Sequence, residues 1–307
     1  MNITVQFLIL IIGFIMLVRG ADLFVDGAAS IAAKFKIPQL IIGLTVVAMG
    51  TSAPEAAVSI SAAFKGSADI TIGNILGSNI LNVLIILGIS ALIIPLPVSK
   101  SVVNVNLPIM IGSSILLLIL GLDGKISHFD AIIICACFLG FLAYMISSAI
   151  RSNQDGEDIK EMTVARSLIL TIIGLVFIII GSRFTVDSAS FIAKEIGLSE
   201  RFIGLTVVAL GTSLPELFTS VVAARKGNAD IAIGNIVGSN IFNILFIVGI
   251  SGLIIPVPYD KAFIFDSLVA LGTSILLLLL TFRKGKLERW GGLVLLLCYV
   301  SYFAIII

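Results

Sequence analysis

Charge is scarce in this sequence. Only 12% of its 307 residues are charged, about half of the roughly 25% that is usual for a soluble domain. Hydrophobic residues make up 59% of the chain, and its mean hydropathy is +1.20. The net charge is +1, and no run of basic residues points to nucleic acid as a partner. This composition indicates a protein that lies in a lipid bilayer.

Histidine and cysteine are also scarce. His128 is the only histidine, so a histidine-based zinc site or catalytic triad is excluded. Cys135, Cys137 and Cys298 all lie in apolar runs, and a Cys-x-Cys pair within a hydrophobic helix has neither metal-site spacing nor a disulfide partner in reach. We therefore expect a protein that is not an enzyme and that carries no covalent cofactor.

Long apolar runs, by contrast, are abundant. A transmembrane helix needs about 20 apolar residues, and ten segments of the chain fit that requirement. We therefore predict an all-α membrane protein with ten transmembrane helices. The predicted helices span roughly residues 3–30, 38–63, 70–93, 104–122, 129–150, 165–193, 199–224, 231–254, 263–282 and 288–306.

The distribution of lysine and arginine predicts the orientation of these helices. Twelve of these residues flank the ends of the odd-numbered helices, and five lie on the opposite side. Because cytoplasmic loops carry the excess of positive charge, we expect both termini outside and the linker 151–163 in the cytoplasm. The protein would then be a multi-pass protein of the plasma membrane.

One polar stretch occurs twice. Residues 43–82 and 204–243 align without a gap at an offset of 161 and are identical at 28 of 40 positions. Each half of the chain holds five predicted helices, and because five is odd, the second half enters the membrane from the opposite side. We predict two inverted five-helix repeats, 1–150 and 164–307, joined by the linker 151–163. Such repeats place a substrate site near the bilayer midplane, where the halves meet.

Each copy contains a proline that should break its helix in mid-membrane. Pro54 has no N–H, so the carbonyl of Gly50 loses its helical partner, and Ala53 is pushed away from helical dihedral angles because it precedes a proline. Irregular backbone at this depth survives only where protein or a cavity satisfies it. The freed carbonyl, nearby hydroxyls and the Glu55 carboxylate are oxygen ligands of the kind that calcium prefers.

Polar side chains also repeat at a spacing of four residues, which places them on one face of a helix. On the next helix, pairs of glycines four positions apart let the helix backbones approach closely, so a glutamate stripe and an asparagine stripe can face each other. The stripes are Thr51, Glu55 and Ser59; Thr212, Glu216 and Ser220; Asn74, Ser78 and Asn82; and Asn235, Ser239 and Asn243.

Energetic cost favours a ligand over a purely structural role for these stripes. A charged side chain at the bilayer centre costs about 2.5–3.5 kcal/mol, whereas a hydrogen bond between membrane helices contributes only about 0.6 kcal/mol on average. Two ionised glutamates, Glu55 and Glu216, would balance one divalent or two monovalent cations. No basic residue is adjacent to either in the sequence, which disfavours an anion or a neutral solute as cargo.

The paired segments GTSAPE and GTSLPE, with GNILGSNILN and GNIVGSNIFN, resemble the alpha repeats of the cation/calcium exchanger superfamily. The resemblance covers the whole chain and is greatest to prokaryotic sodium/calcium exchanger homologues. It implies a fold of two inverted five-helix repeats around four ion sites. It also implies exchange of calcium for sodium by alternating access, with sliding of the long first and sixth helices.

The resemblance further implies roles for individual residues. Several members, including potassium-dependent exchangers, have an aspartate where Asn243 stands, and because an amide cannot ionise, Asn243 argues against potassium dependence. Calcium would be held by Glu55, Glu216 and backbone oxygens of Thr51 and Thr212. One sodium site would use Ala48, Thr51, Ser52, Glu55 and Ser78, its mirror site would use Ala209, Thr212, Ser213, Glu216 and Ser239, and Asn82 and Asn243 would border the fourth position.

Other functions stay open at this point. A proton/calcium antiporter would share the glutamates, with Glu55 or Glu216 protonated during the cycle. A membrane scaffold or sensor that transports nothing is a second class, and a channel is a third. Proline-broken helices in antiparallel halves favour alternating access over a channel.

Overall fold

The computed structural model describes residues 3–151, 162–197 and 209–306, apart from the side chains of Asp69 and Ala209. Residues 152–161, most of the predicted linker, lie outside the described residues. So do residues 199–208, with which the predicted seventh helix begins.

Helices dominate the described residues. Eight of them are long and apolar enough to cross a membrane, and a bent pair forms a ninth such unit. Their bounds agree with the predicted segments to within a few residues. The helices are α1 (Ile3–Lys34), α2 (Gln39–Thr51), α3 (Ala53–Phe64), α4 (Ile70–Ile93), α5 (Val102–Gly121), α6 (His128–Arg151), α7 (Val164–Glu195), α8 (Ala209–Thr212), α9 (Leu214–Arg225), α10 (Ala229–Ile254), α11 (Ala262–Phe282) and α12 (Arg289–Ile306).

The longest helices, α1 and α7, pack antiparallel through small residues. A Cβ atom on Gly20 would lie only 2.8 Å from the carbonyl oxygen of Gly174, and one on Gly13 would lie 2.9 Å from that of Gly181. The same contact continues to Ser30, which accepts a hydrogen bond from the Ser167 hydroxyl at 2.9 Å. Glycine is required along this contact because any side chain would push the two backbones apart.

The two helices that carry the asparagine stripes, α4 and α10, occupy the centre of the molecule. In the most apolar 18-residue stretch of each helix, 94% of α10 and 78% of α4 is buried inside the protein, against 33% of α1. Both central helices contain a π-helical segment, Asn82–Leu87 in α4 and Asn243–Val248 in α10. Segments of this kind often occur at functional sites, and each of these begins at an asparagine of the predicted stripes.

Two short ribbons join the halves at opposite faces. Strand β1 (Leu96–Pro97) pairs antiparallel with β4 (Lys286–Leu287), and β2 (Lys125–Ile126) pairs antiparallel with β3 (Val257–Pro258). Adding the repeat offset of 161 to β1 and β2 gives β3 and β4. The two ribbons are therefore related by the same symmetry as the repeats.

Candidate functional site

The predicted helix break lies between α2 and α3, which are bent by 51° to each other. Ser52 leaves the helical region, with φ −79° and ψ 8°, and Ser213 in the second copy does the same, with φ −88° and ψ 4°. The prediction that Ala53 would leave the helix is wrong, because α3 already begins at Ala53. Proline is tolerated in the first turn of a helix, so the break falls one residue earlier.

The break puts both glutamates into the first turn of a helix in the protein interior. Glu55 is 1% exposed and Glu216 is fully buried. The N-terminus of a helix favours negative charge. Ser52 donates a hydrogen bond to Oε1 of Glu216 at 2.8 Å, and Ser213 donates one to Oε1 of Glu55 at 3.5 Å. Each repeat therefore binds the carboxylate of the other.

The serines of α4 and α10 complete the surroundings of these carboxylates. Ser78 donates to Oε1 of Glu55 at 3.4 Å, and Ser239 lies 3.5 Å from Oε1 of Glu216. The Ser239 hydroxyl also reaches the carbonyl oxygen of Ala48 at 3.4 Å. The carbonyl oxygen of Ala48 and the hydroxyl oxygens thus lie beside the two carboxylates.

The asparagine stripes face the glutamate stripes, as predicted. Asn74 donates to the Ser59 hydroxyl at 3.0 Å, and Asn235 donates to the Ser220 hydroxyl at 2.9 Å. Thr51 crosses between the repeats and donates to Oδ1 of Asn235 at 2.9 Å. Hydroxyl and amide groups therefore hold the central helices together around the carboxylates.

Two further asparagines, Asn79 and Asn240, belong to this network and were not predicted. Each donates from Nδ2 to the backbone carbonyl of the other, at 3.2 and 3.1 Å. Their Oδ1 atoms accept hydrogen bonds from Asn243 and Asn82, both at 3.0 Å. Each lies one position beyond a member of an asparagine stripe, whose residues repeat every four positions. Their identity in the two copies of the G-S-N motif was the signal that could have identified them.

Four buried oxygen atoms at this site have no hydrogen-bond partner in the described part of the chain. They are Oε2 of Glu55 and Glu216 and Oδ1 of Asn82 and Asn243. Leaving a buried polar group unsatisfied costs about 1–3 kcal/mol, and here the same two atoms are unsatisfied in each repeat. Among the described residues, no three or more His, Cys, Asp or Glu side chains form a group that could hold a metal ion. A cation held here would therefore combine carboxylate oxygens with amide, hydroxyl and carbonyl oxygens.

The other predicted ligands are placed less completely. Thr212 ends α8 and is half-buried beside the break at Ser213. Ala209 begins α8, but its side chain lies outside the described residues. Ala48, Thr51, Ser52, Ser78 and Ser239 are all brought into contact with the central network. Which of these residues bind an ion stays a prediction.

A cavity of about 580 Å³ opens beside the site at one face of the molecule. Its walls include Pro54 and Thr212 at the helix breaks, and Lys65, Arg183 and Asp187 farther out. This is the face at which α7 ends. The opposite face, where α6 ends and α7 begins, is the linker face.

Ion pairs join the two repeats at the linker face. Lys226, just beyond α9, lies 2.7 Å from Oδ1 of Asp26 and 3.2 Å from Oδ1 of Asp22 on α1. The equivalent lysine, Lys65, forms no ion pair among the described residues, and Arg183 stands at the position equivalent to Asp22. The two faces therefore differ in charge although the backbone repeats.

A family comparison matches nearly the whole chain. The profile described as "Sodium/calcium exchanger protein" covers residues 5–147 and 166–307. The chain belongs to the sodium/calcium exchanger family. Members of this family are transporters and not enzymes, and this family member belongs to the cation/calcium exchange class. Its apolar helices make it a multi-pass membrane protein.

Individual relatives extend over the full chain. The sodium/calcium exchanger MaX1 of Methanosarcina acetivorans is 33% identical over 350 aligned positions, covering 99% of each chain. The inner membrane protein YrbG of Escherichia coli is 38% identical over 299 positions, covering 94% of this chain and 92% of that protein. A solved structure of the sodium-calcium exchanger NCX_Mj superposes with a TM-score of 0.88 at 33% identity, covering 100% of both chains. These matches confirm the predicted fold of ten transmembrane helices in two inverted repeats.

Proposed function

We propose that this protein is a secondary active antiporter that exchanges calcium for sodium by alternating access. The observation that carries the proposal is a set of four buried oxygens, on Glu55, Glu216, Asn82 and Asn243, that have no hydrogen-bond partner among the residues that the structure describes. Oxygen-only surroundings suit hard cations, and calcium takes about 6–8 such ligands. MaX1 and NCX_Mj are sodium/calcium exchangers by name, which supports the same ion pair here.

The proposed ion ligands follow the symmetry of the repeats. Calcium binds Oε2 of Glu55 and Glu216 together with backbone oxygens of Thr51 and Thr212. One sodium site draws on Ala48, Thr51, Ser52, Glu55 and Ser78, the mirror site draws on Ala209, Thr212, Ser213, Glu216 and Ser239, and Asn82 and Asn243 border the remaining position.

Alternating access is supported by the difference between the two faces. A cavity of about 580 Å³ lies beside the helix breaks at one face, whereas Lys226 forms ion pairs with Asp22 and Asp26 at the other. If the repeats 1–150 and 164–307 exchanged these two arrangements, the linker face would open in place of the face with the cavity. The antiparallel contact between α1 and α7 is closest at glycines of both helices, such as Gly20 and Gly174, which have no side chain to oppose sliding.

The proposed location is the plasma membrane, with the linker 151–163 in the cytoplasm and both termini outside. The excess of lysine and arginine at the linker face supports this orientation. The E. coli relative YrbG is named an inner membrane protein, which supports the same membrane.

Calcium uptake into vesicles tests the proposal. The purified protein is reconstituted into liposomes, and uptake of labelled calcium is measured with an outward sodium gradient, an outward proton gradient of equal size, or no gradient. We expect uptake with sodium only. Uptake that follows the proton gradient and ignores sodium would instead identify a proton/calcium antiporter, and uptake that also needs potassium would identify a potassium-dependent exchanger.

A further inference from the structure

The amides of Asn82 and Asn243 can adopt two orientations that differ chemically, whereas the two oxygens of a carboxylate are equivalent. A primary amide has an oxygen that accepts and a nitrogen that donates, and only the oxygen can bind a cation. Both side chains are buried, with exposed fractions of 1% and 0%. Whether they help to bind an ion therefore depends on what holds their nitrogen atoms.

Asn79 and Asn240 hold those nitrogens. The Nδ2 atom of Asn243 donates to Oδ1 of Asn79, and the Nδ2 atom of Asn82 donates to Oδ1 of Asn240, each at 3.0 Å. Each contact crosses from one repeat to the other.

The orientation of Asn79 and Asn240 is itself determined by the backbone. Each donates from Nδ2 to the other's backbone carbonyl oxygen, at 3.2 and 3.1 Å, and a carbonyl oxygen can only accept. The side chain of Asn79 must therefore turn its nitrogen to Asn240, which leaves Oδ1 for Asn243. The assignment of oxygen and nitrogen in all four amides follows from two backbone carbonyls.

We propose that Asn79 and Asn240 are positioning residues for the exchange reaction, which orient the amides of Asn243 and Asn82 so that their Oδ1 atoms face the transported cation. The proposal deepens the proposed exchange function and rests on it. This arrangement explains why the Oδ1 atoms of Asn82 and Asn243 accept no hydrogen bond within the described parts of the chain. Without Asn79, the amide of Asn243 can rotate and present its nitrogen, which repels a cation.

A carboxylate at position 243 provides the sharpest test, because both of its oxygens accept and no orientation is needed. We expect Asn79→Ala to raise the apparent KM for calcium by about tenfold or more, the usual effect of removing a partner that orients a metal ligand. In an Asn243→Asp background, Asn79→Ala should leave the KM nearly unchanged. In an Asn82→Asp background, it should raise the KM as it does in the wild type.

The mirror variants supply the matched control. Asn82→Asp should suppress the effect of Asn240→Ala on the KM for calcium, and Asn243→Asp should not. An equal effect of Asn79→Ala in all three backgrounds would indicate general destabilisation and overturn the proposal, as would an unchanged KM in Asn79→Ala. If the wild type takes up calcium and neither alanine variant changes the KM, the positioning role alone is rejected. If the wild type takes up no calcium, the exchange function is rejected.

A measurement on the unmutated protein covers the case in which the alanine variants do not fold. Infrared difference spectra of protein labelled with ¹³C at the asparagine side-chain carbonyl are recorded on adding calcium. We expect a shift of the labelled carbonyl band, because the oxygens bind the ion. A labelled band that calcium does not move would overturn the proposal.

Discussion

The hydroxyl of Ser52 donates a hydrogen bond of 2.8 Å to Oε1 of Glu216, across the boundary between the repeats. The mirror contact, from Ser213 to Oε1 of Glu55, is 3.5 Å long. Two copies of the same motif thus hold their carboxylates unequally. The two faces of the molecule differ as well, because the cavity lined by Pro54 and Thr212 opens at one face and the Lys226 ion pairs lie at the linker face.

Ser52→Ala is expected to impair calcium binding more than Ser213→Ala. A hydrogen bond to a charged group contributes about 1.5–3 kcal/mol, and only the Ser52 contact has the length of a strong bond. The calcium dependence of uptake in liposomes measures both variants, and Ser213→Ala is the matched control. Equal increases of the KM would contradict the inequality described above.

Replacing either buried glutamate by glutamine is expected to abolish calcium transport. Glu55→Gln and Glu216→Gln keep the volume but remove the negative charge, so the loss should exceed the roughly 100-fold that removal of an outer partner of a metal ligand causes. Glu288→Gln is the control, because Glu288 pairs with Lys284 and Lys286 away from the site. Unchanged transport in both buried variants would favour a scaffold or sensor.

Loss of the Lys226 ion pairs is expected to loosen the linker face. Each pair is partly exposed and should contribute about 0.2–1 kcal/mol. Lys226→Gln should therefore increase hydrogen–deuterium exchange in the part of α1 that follows Asp22. Lys65→Gln is the control, since Lys65 makes no ion pair in the parts of the chain that the structure describes. The same increase in both variants would show that the pairs at the linker face have no specific role.

Alanine at Gly20 is expected to destabilise the contact between α1 and α7. Its Cβ atom would lie 2.8 Å from the carbonyl oxygen of Gly174, and overpacking of this kind costs about 1–3 kcal/mol. Gly112→Ala is the control, because within the described residues nothing outside its own helix lies within 4 Å of that Cβ position. Thermal unfolding in detergent distinguishes them. A melting temperature of Gly20→Ala at or above that of Gly112→Ala would contradict the prediction.

Much of the architecture follows from local features of the chain. The lengths of the apolar runs predict the helices, and the offset of 161 predicts the inverted halves. A carboxylate beside a proline in an apolar run predicts the site at Glu55 and Glu216. The family resemblance added candidate ligands such as Asn82 and Asn243, which the structure places in one network.

Two features of the site were not predicted from the local pattern of the sequence. The break lies at Ser52 because Pro54 fits the first turn of α3. Asn79 joins the site only because Asn240 meets it from the other repeat.

By itself the sequence determined that ten apolar helices form two inverted repeats with one carboxylate each, because helix length and internal repetition are properties of the chain alone. Only the tertiary structure decided which hydroxyl holds which carboxylate, which way each amide faces, and which face of the molecule is held by Lys226. Hydrogen bonds and ion pairs depend on distances of a few ångströms between segments that are far apart in sequence. Those distances exist only once the two repeats have packed together.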